Sequence, residues 1–189
     1  MEYTEIERIK ARLREQLTEK RYAHTMGTLL MAMELSVHTP ADRDVVFYAA
    51  LLHDCAKYRT PTAAQKALLT DFLPYDKILH APLGALIARE EYGIDDERIL
   101  NAIRYHATGR PGMSIEEKIV FLADAIEDGR AYPCVEEIRK ATERSLEEGM
   151  EMSLRGVLRF EGQNGTRIHP LTQQTLDDIE RSLAHEQKN

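Results

Sequence analysis

Apolar residues recur along this chain at intervals of three and four, the repeat of a helix that turns one face to a core. Between about Thr4 and Glu19 the stripe is Ile6, Ile9, Leu13 and Leu17. Between Tyr22 and Val37 it is Met26, Leu29, Leu30 and Met33, a Met-rich face read as core packing. Pro40 and Asp42 open a third helix that carries Val45, Val46, Ala49 and Leu52, then His53 and Asp54. Shorter helices are expected after Pro61, around 76–91 and around 95–105. Ala107–Met113, with two glycines and a proline, reads as a loop. Ser114 and Glu117 make a capping box for a helix that contains the run Ile119–Ile126. A long helix is expected over 135–159, turn chemistry at Gly162–Gly165, and a last helix from Pro170. No alternating run of strand length and no internal repeat interrupts this pattern. It predicts an all-α helical bundle, one domain over residues 1–189.

Two carboxylates break the apolar runs. Asp54 and its neighbour His53 follow Ala49-Ala50-Leu51-Leu52, and Asp124 is the one polar member of the eight residues Ile119–Ile126. A buried carboxylate without a partner costs several kcal/mol, so each needs a cation or a metal ion. Asp124 alone admits an arginine partner as the lesser alternative, and any one histidine alone is more often a hydrogen-bonded residue than a ligand. The set says more. His24, His53, Asp54 and Asp124 come from three helices in mostly apolar surroundings, in the order H…HD…D. Imidazole nitrogen with carboxylate oxygen suits a divalent transition ion such as iron, manganese or zinc. His38 and His185 lie by helix ends or the polar tail and receive no role.

The chain has 189 residues, 43% hydrophobic and 30% charged, which fits a single soluble domain with a real core. A formal net charge of -7 argues against general nucleic-acid binding, which needs a basic face. A small anionic substrate remains compatible if cations cluster locally, and Arg21, Lys57, Arg59, Arg104, Arg110, Arg130 and Arg167 all fall near the residues of interest. Cys55 and Cys134 make no disulfide framework, and Cys55 reads as a small core residue. Neither a signal-peptide order nor an apolar stretch of about 20 residues appears, so a cytoplasmic protein without membrane contact is expected. Glycine-rich phosphate loops and Gly-x-Ser-x-Gly turns are absent too.

Five segments in order resemble a known family: Arg21–Thr25, Ala50–Lys57, His80–Ala85, Ala102–Ser114 and Ala123–Arg130. The H…HD…D arrangement resembles the HD-domain metal-dependent phosphohydrolases. The five segments together resemble the bacterial YqeK family, similar to symmetrical diadenosine tetraphosphate hydrolases. That resemblance implies an HD-domain bundle with a metal core over about 20–130 and C-terminal helices over 135–187 covering a nucleotide pocket. It implies His24, His53, Asp54 and Asp124 as ligands of an iron-type ion, with manganese, cobalt and zinc as alternatives. Arg21, Lys57, His80, His106, Ala107 and Arg130 would hold the nucleotide and its phosphates next to His24, Asp54 and Asp124. The late segment Ile168-His169-Pro170-Leu171 would complete the pocket. Where the family has Thr and Pro, this chain has Ala107 and Asp128, which removes one hydroxyl contact and alters the turn before Arg130.

The expected chemistry is central cleavage of a bis-nucleoside tetraphosphate into two nucleoside diphosphates by a metal-activated water. Asp54, His80 and His106 are the catalytic candidates, with the histidines either donating a proton or bonding phosphate. One ion with His80 and His106 on phosphate is preferred to two ions, the second completed by these histidines and a bridging Asp54. The ligands are a dinucleoside polyphosphate or a nucleoside diphosphate, and the sequence admits a homodimer. The alternatives are a nucleotidase or phosphodiesterase on a smaller nucleotide, and a non-catalytic nucleotide- or metal-sensing module.

Overall fold

The apolar stripes resolve into ten helices and no strand among the described residues, 3–186, of a computed structural model. Residues 1–2 and 187–189, counted above in the domain and its last helix, lie outside the described residues. The helices are α1 (Tyr3–Gln16), α2 (Glu19–Ser36), α3 (Arg43–Leu52), α4 (Ala63–Leu68), α5 (His80–Tyr92), α6 (Glu97–Tyr105), α7 (Ile115–Ile126), α8 (Val135–Arg144), α9 (Leu146–Gln163) and α10 (Pro170–Glu186). None is long and apolar enough to cross a membrane.

The near-continuous apolar character of α7 has a simple cause: it is shared by two cores. Ile119, Val120 and Ala123 belong to the cluster built with α1, α2, α3, α5 and α6. Phe121, Leu122 and Ile126 face the second cluster, with Ile138, Met150, Leu154, Leu176 and Ile179 of α8–α10. A helix packed on both sides has no room for polar residues except where it borders a cleft. Its start is the expected capping box: Glu117 N donates to Ser114 Oγ at 3.3 Å, and Ser114 N to Glu117 Oε2 at 2.7 Å.

Three local expectations change. The segment read as one helix over 135–159 is two, α8 and α9, because Ser145 is extended (φ -162°, ψ 156°) and caps α9 by accepting from Glu148 N. The inward face of α2 is Thr25, Thr28, Leu29, Ala32 and Ser36, while Leu30 points outward, 70% exposed. Small residues on that face let α2 approach α3 and α7 closely, with Met26 and Met33 packing at the margin. Finally, α3 ends at Leu52, so His53 and Asp54 lie in the turn that follows it.

Candidate metal centre

Each candidate ligand is fixed by a local device. Thr18 caps α2 by accepting from Arg21 N at 3.2 Å, which sets Arg21 and His24 on its first turns. His53 and His106 are the C-cap residues of α3 and α6. Their Nδ1 atoms lie 2.7 and 2.8 Å from the Ala50 and Ile103 carbonyl oxygens, three residues back. A carbonyl only accepts, so Nδ1 carries a proton in both rings and Nε2 is the nitrogen turned toward the site. Gly84 of α5 lets that helix lie close against α6 beside the His53 turn, since a Cβ there would stand 3.2 Å from Ile103 Cγ2. Asp124 projects from α7 toward His24, its side chain 22% exposed.

These atoms converge. His24 Nε2 is 2.8 Å from Asp124 Oδ1 and 3.8 Å from Asp54 Oδ2. His53 Nε2 is 3.5 Å from Asp54 Oδ2 and 3.9 Å from Asp124 Oδ1. On the far side of Asp54, His80 Nε2 and His106 Nε2 stand 3.3 and 4.0 Å from Oδ1. Two neighbouring triads thus bring ligand atoms within 4.8 Å of one another: His24, His53 and Asp124, then Asp54, His80 and His106. Among the described residues, four buried side-chain polar atoms lack a hydrogen-bond partner, and His53 Nε2, Asp54 Oδ1 and His106 Nε2 are three of them. Buried polar atoms are satisfied as a rule, so three orphans facing one another fit a ligand that the side chains themselves do not supply. Two carboxylates with neutral imidazoles are a suitable donor set for a divalent transition ion.

Cations surround this row. Arg21 Nη1 is 2.8 Å from Asp54 Oδ2, Arg130 Nη2 is 2.5 Å from Asp124 Oδ1, and Lys57 Nζ is 3.6 Å from Asp54 Oδ1 and 3.0 Å from His80 Nε2. Burial alone would raise both carboxyls. Histidine and cation neighbours win, chiefly His53 for Asp54 and the His24 bond for Asp124, and hold both well below the usual carboxylate range. Burial and His106 push His80 down to about 3, and burial with His53 pushes His106 down to about 4. Both rings are therefore neutral near pH 7. Burial opposes charge on His53, but Asp54 and Asp124 reverse that and raise it. Burial also lowers Lys57.

The other basic residues sort themselves by partner. Arg110 pairs with buried Glu117 at 2.9 Å, Arg59 with Glu91 at 2.6 Å, and Arg104 with Asn101 at 2.8 Å. Ala107, Ile168 and His169 line a cleft of about 260 Å³ that also includes Tyr75 and Ile78, whereas Pro170 and Leu171 fall outside its lining. The Phe72 and His169 rings stack there with centroids 4.5 Å apart.

One residue escaped the sequence reading. Glu127 is 5% exposed, accepts from Gly129 N at 2.6 Å, and stands 3.1 Å from His24 Nδ1. It therefore orients His24, as outer carboxylates commonly do for ligating histidines. Gly27 makes room for it, since a Cβ there would sit 2.5 Å from Glu127 Oε2.

The chain belongs to the HD-domain family, whose profile matches residues 21–129. Its relatives give a narrower grouping. It is 37% identical over 166 residues to the Bacillus subtilis protein named bis(5'-nucleosyl)-tetraphosphatase, symmetrical, covering 85% of this chain and 89% of that one. The protein of the same name from Halalkalibacterium halodurans is 40% identical over 173 residues, covering 88% and 92%. The crystal structure of a predicted HD superfamily hydrolase involved in NAD metabolism from Clostridium acetobutylicum superposes with a TM-score of 0.87 at 34% identity, covering 94% of this chain and 97% of that one. The resemblance read from the five segments is borne out over most of the chain.

Proposed function

We propose that this protein is a metal-dependent hydrolase that cuts diadenosine tetraphosphate, or a related dinucleoside tetraphosphate, at its centre to give two nucleoside diphosphates. The observation that carries this reading is the buried row of His53 Nε2, Asp54 Oδ1 and His106 Nε2, unpartnered and ringed by Arg21, Lys57 and Arg130 in a chain of net charge -7. The names of the relatives point to the same substrate.

His24, His53, Asp54 and Asp124 would hold a divalent ion, iron foremost, which when bound supplies Lewis acidity and hydroxide from water near neutral pH. The water oxygen bonds to the second phosphorus as the bond to the central bridging oxygen breaks. The electron pair departs with one nucleoside diphosphate, and the water proton passes to solvent. Arg21, Lys57 and Arg130 stabilise the charge that spreads over the equatorial oxygens. A nucleoside diphosphate is a weak base, so the leaving group departs without protonation. His80 and His106, neutral near pH 7, bond the phosphates and do not serve as general acids. The cleft of Tyr75, Ala107, Ile168 and His169 takes one nucleoside, covered by α9 and α10. A nucleoside held there would fix which phosphorus reaches the row.

The triad of Asp54, His80 and His106 supports a second reading with two ions. Metal analysis decides between them, because a stoichiometry near two per chain overturns the one-ion version. The main reading is tested by product separation after incubation with diadenosine tetraphosphate and iron, manganese or cobalt. ADP as the sole nucleotide product is expected. AMP with ATP excludes central cleavage, release of inorganic phosphate favours a nucleotidase, and no turnover with any of the three metals refutes the reading.

A further inference from the structure

A tetraphosphate cut at its centre has two halves of equal size, and the cleft at Ile168 and His169 accounts for one. That cleft is lined by Ile78 and Ala107, near neighbours in the chain of His80 and His106 at one end of the row. A second and larger cleft, about 900 Å³, opens from the other end, where Arg21, His24 and Arg130 form its inner wall. A phosphate chain laid along the row therefore leaves it into a different cleft on each side.

The larger cleft carries features that the hydrolytic centre does not use. Tyr58 lines it from the turn after Asp54 and is 57% exposed. Tyr132 lines it from the segment between α7 and α8 and is 38% exposed, with its hydroxyl donating to the Ala125 carbonyl oxygen at 2.8 Å. That bond fixes the ring tip while leaving ring surface open. Lys20 adds a third cation to Arg21 and Arg130 on the same wall. Exposed aromatic faces beside clustered cations are the combination that takes a base by stacking and its phosphates by charge. Nothing in the packing of the two cores calls for either tyrosine, since both lie outside them.

We propose that Tyr58, Tyr132 and Lys20 form the subsite for the second nucleoside diphosphate, so that the enzyme grips both ends of the dinucleotide. This rests on the hydrolytic reading above and extends it: selectivity for a substrate with two nucleosides resides in the larger cleft. Adenosine 5'-tetraphosphate is the discriminating probe, because it has the same phosphate chain and one nucleoside. The readout is the ratio of kcat/KM for diadenosine tetraphosphate to that for adenosine tetraphosphate, measured on metal-loaded enzyme. If the shorter compound does not turn over, the ratio of its inhibition constant to the KM of the dinucleotide takes its place, both being independent of the active fraction.

The wild-type ratio should stand well above one. Tyr58→Ala and Tyr132→Ala should each lower it about tenfold, the order expected for losing one base–aromatic stack. Because both substrates are measured on the same protein, partial misfolding or metal loss cancels in the ratio. A wild-type ratio near one, or a ratio unchanged in both variants, overturns the subsite while leaving the hydrolytic reading intact. Failure of the wild type to cut the dinucleotide at all overturns the hydrolytic reading instead.

Discussion

Replacing Gly27 by Ala should detach metal affinity from fold stability, because Gly27 faces the carboxylate that orients His24. The added Cβ would lie 2.5 Å from Glu127 Oε2 and 3.2 Å from its Cδ. Glu127 is flexible enough to swing aside, so the damage falls on its hydrogen bonds and not on the backbone. Those bonds are to Gly129 N at 2.6 Å and His24 Nδ1 at 3.1 Å. Losing them costs about 1–3 kcal/mol. Placing Ala in a helix interior returns about 1 kcal/mol relative to Gly. Net stability should therefore move by no more than about 2 kcal/mol, while an unsupported ligating histidine lowers metal affinity about 10- to 100-fold. The assay is competitive metal titration against a chelator, run beside urea denaturation of the metal-free protein. Glu127→Gln keeps an acceptor oxygen and should lose less affinity than Gly27→Ala. Unchanged metal affinity in Gly27→Ala, with stability altered or not, would falsify the supporting role of Glu127.

Other outcomes follow from the same geometry. Asp124→Ala removes a carboxylate that touches His24 and Arg130, so both bound metal and kcat/KM should fall by about two orders of magnitude or more, read by metal analysis and product assay. Loading with metal at about 100 times its dissociation constant should stabilise the fold by about 2.7 kcal/mol, and chelation should abolish that increment along with turnover. His80 titrates at about 3 in the folded protein against about 6.5 unfolded. The unfolded chain thus binds the extra proton between those values, so this ring contributes no penalty above pH 6.5 and about 2 kcal/mol of destabilisation by pH 5, to which His106, at about 4, adds a similar amount. His80→Gln should flatten that acid limb in denaturation curves taken from pH 7 to 5, and an unchanged slope would refute the assignment. Leu122→Ala, at the second core's contact with α7, should cost about 2–5 kcal/mol by the same denaturation assay.

Much of this was legible in the chain because burial leaves a mark on composition. Asp124 inside seven apolar neighbours announced a polar site within a core helix, and α7 is indeed packed on two faces. Asp54 and Asp124 stand out singly as misplaced carboxylates, His24 and His53 only as members of the set, and the four meet within a few ångströms. The residues that were not read are those whose signal is relational. Glu127 looks like one more acidic residue after a helix, and only Gly27 opposite it, across a hundred residues, reveals that it is buried. The α8–α9 break was available locally, since Ser145-Leu146-Glu147-Glu148 is a Ser-x-x-Glu helix start. The surrounding charged, amphipathic pattern ran through it and masked the stop. On α2, counting large apolar residues misjudged the face, because close helix approach selects Thr, Ala and Ser there.

The two histidines that cap α3 and α6 give the centre a mechanical character. Each ring is tethered by Nδ1 to its own helix, and the two meet edge to face, centroids 5.0 Å apart at 85°. Neither can turn without breaking a bond to a helix end, so their rotamer freedom is already lost when the bundle folds. If His53 ligates the ion as proposed, that side of its socket is already rigid, and His106 offers the phosphates an equally fixed nitrogen. Such a socket discriminates by fit: an ion that needs a wider or more oxygen-rich shell finds nothing that will move to meet it. Exchange of one ion for another should then require the helix ends to loosen, which would couple turnover of the metal to breathing of the fold itself.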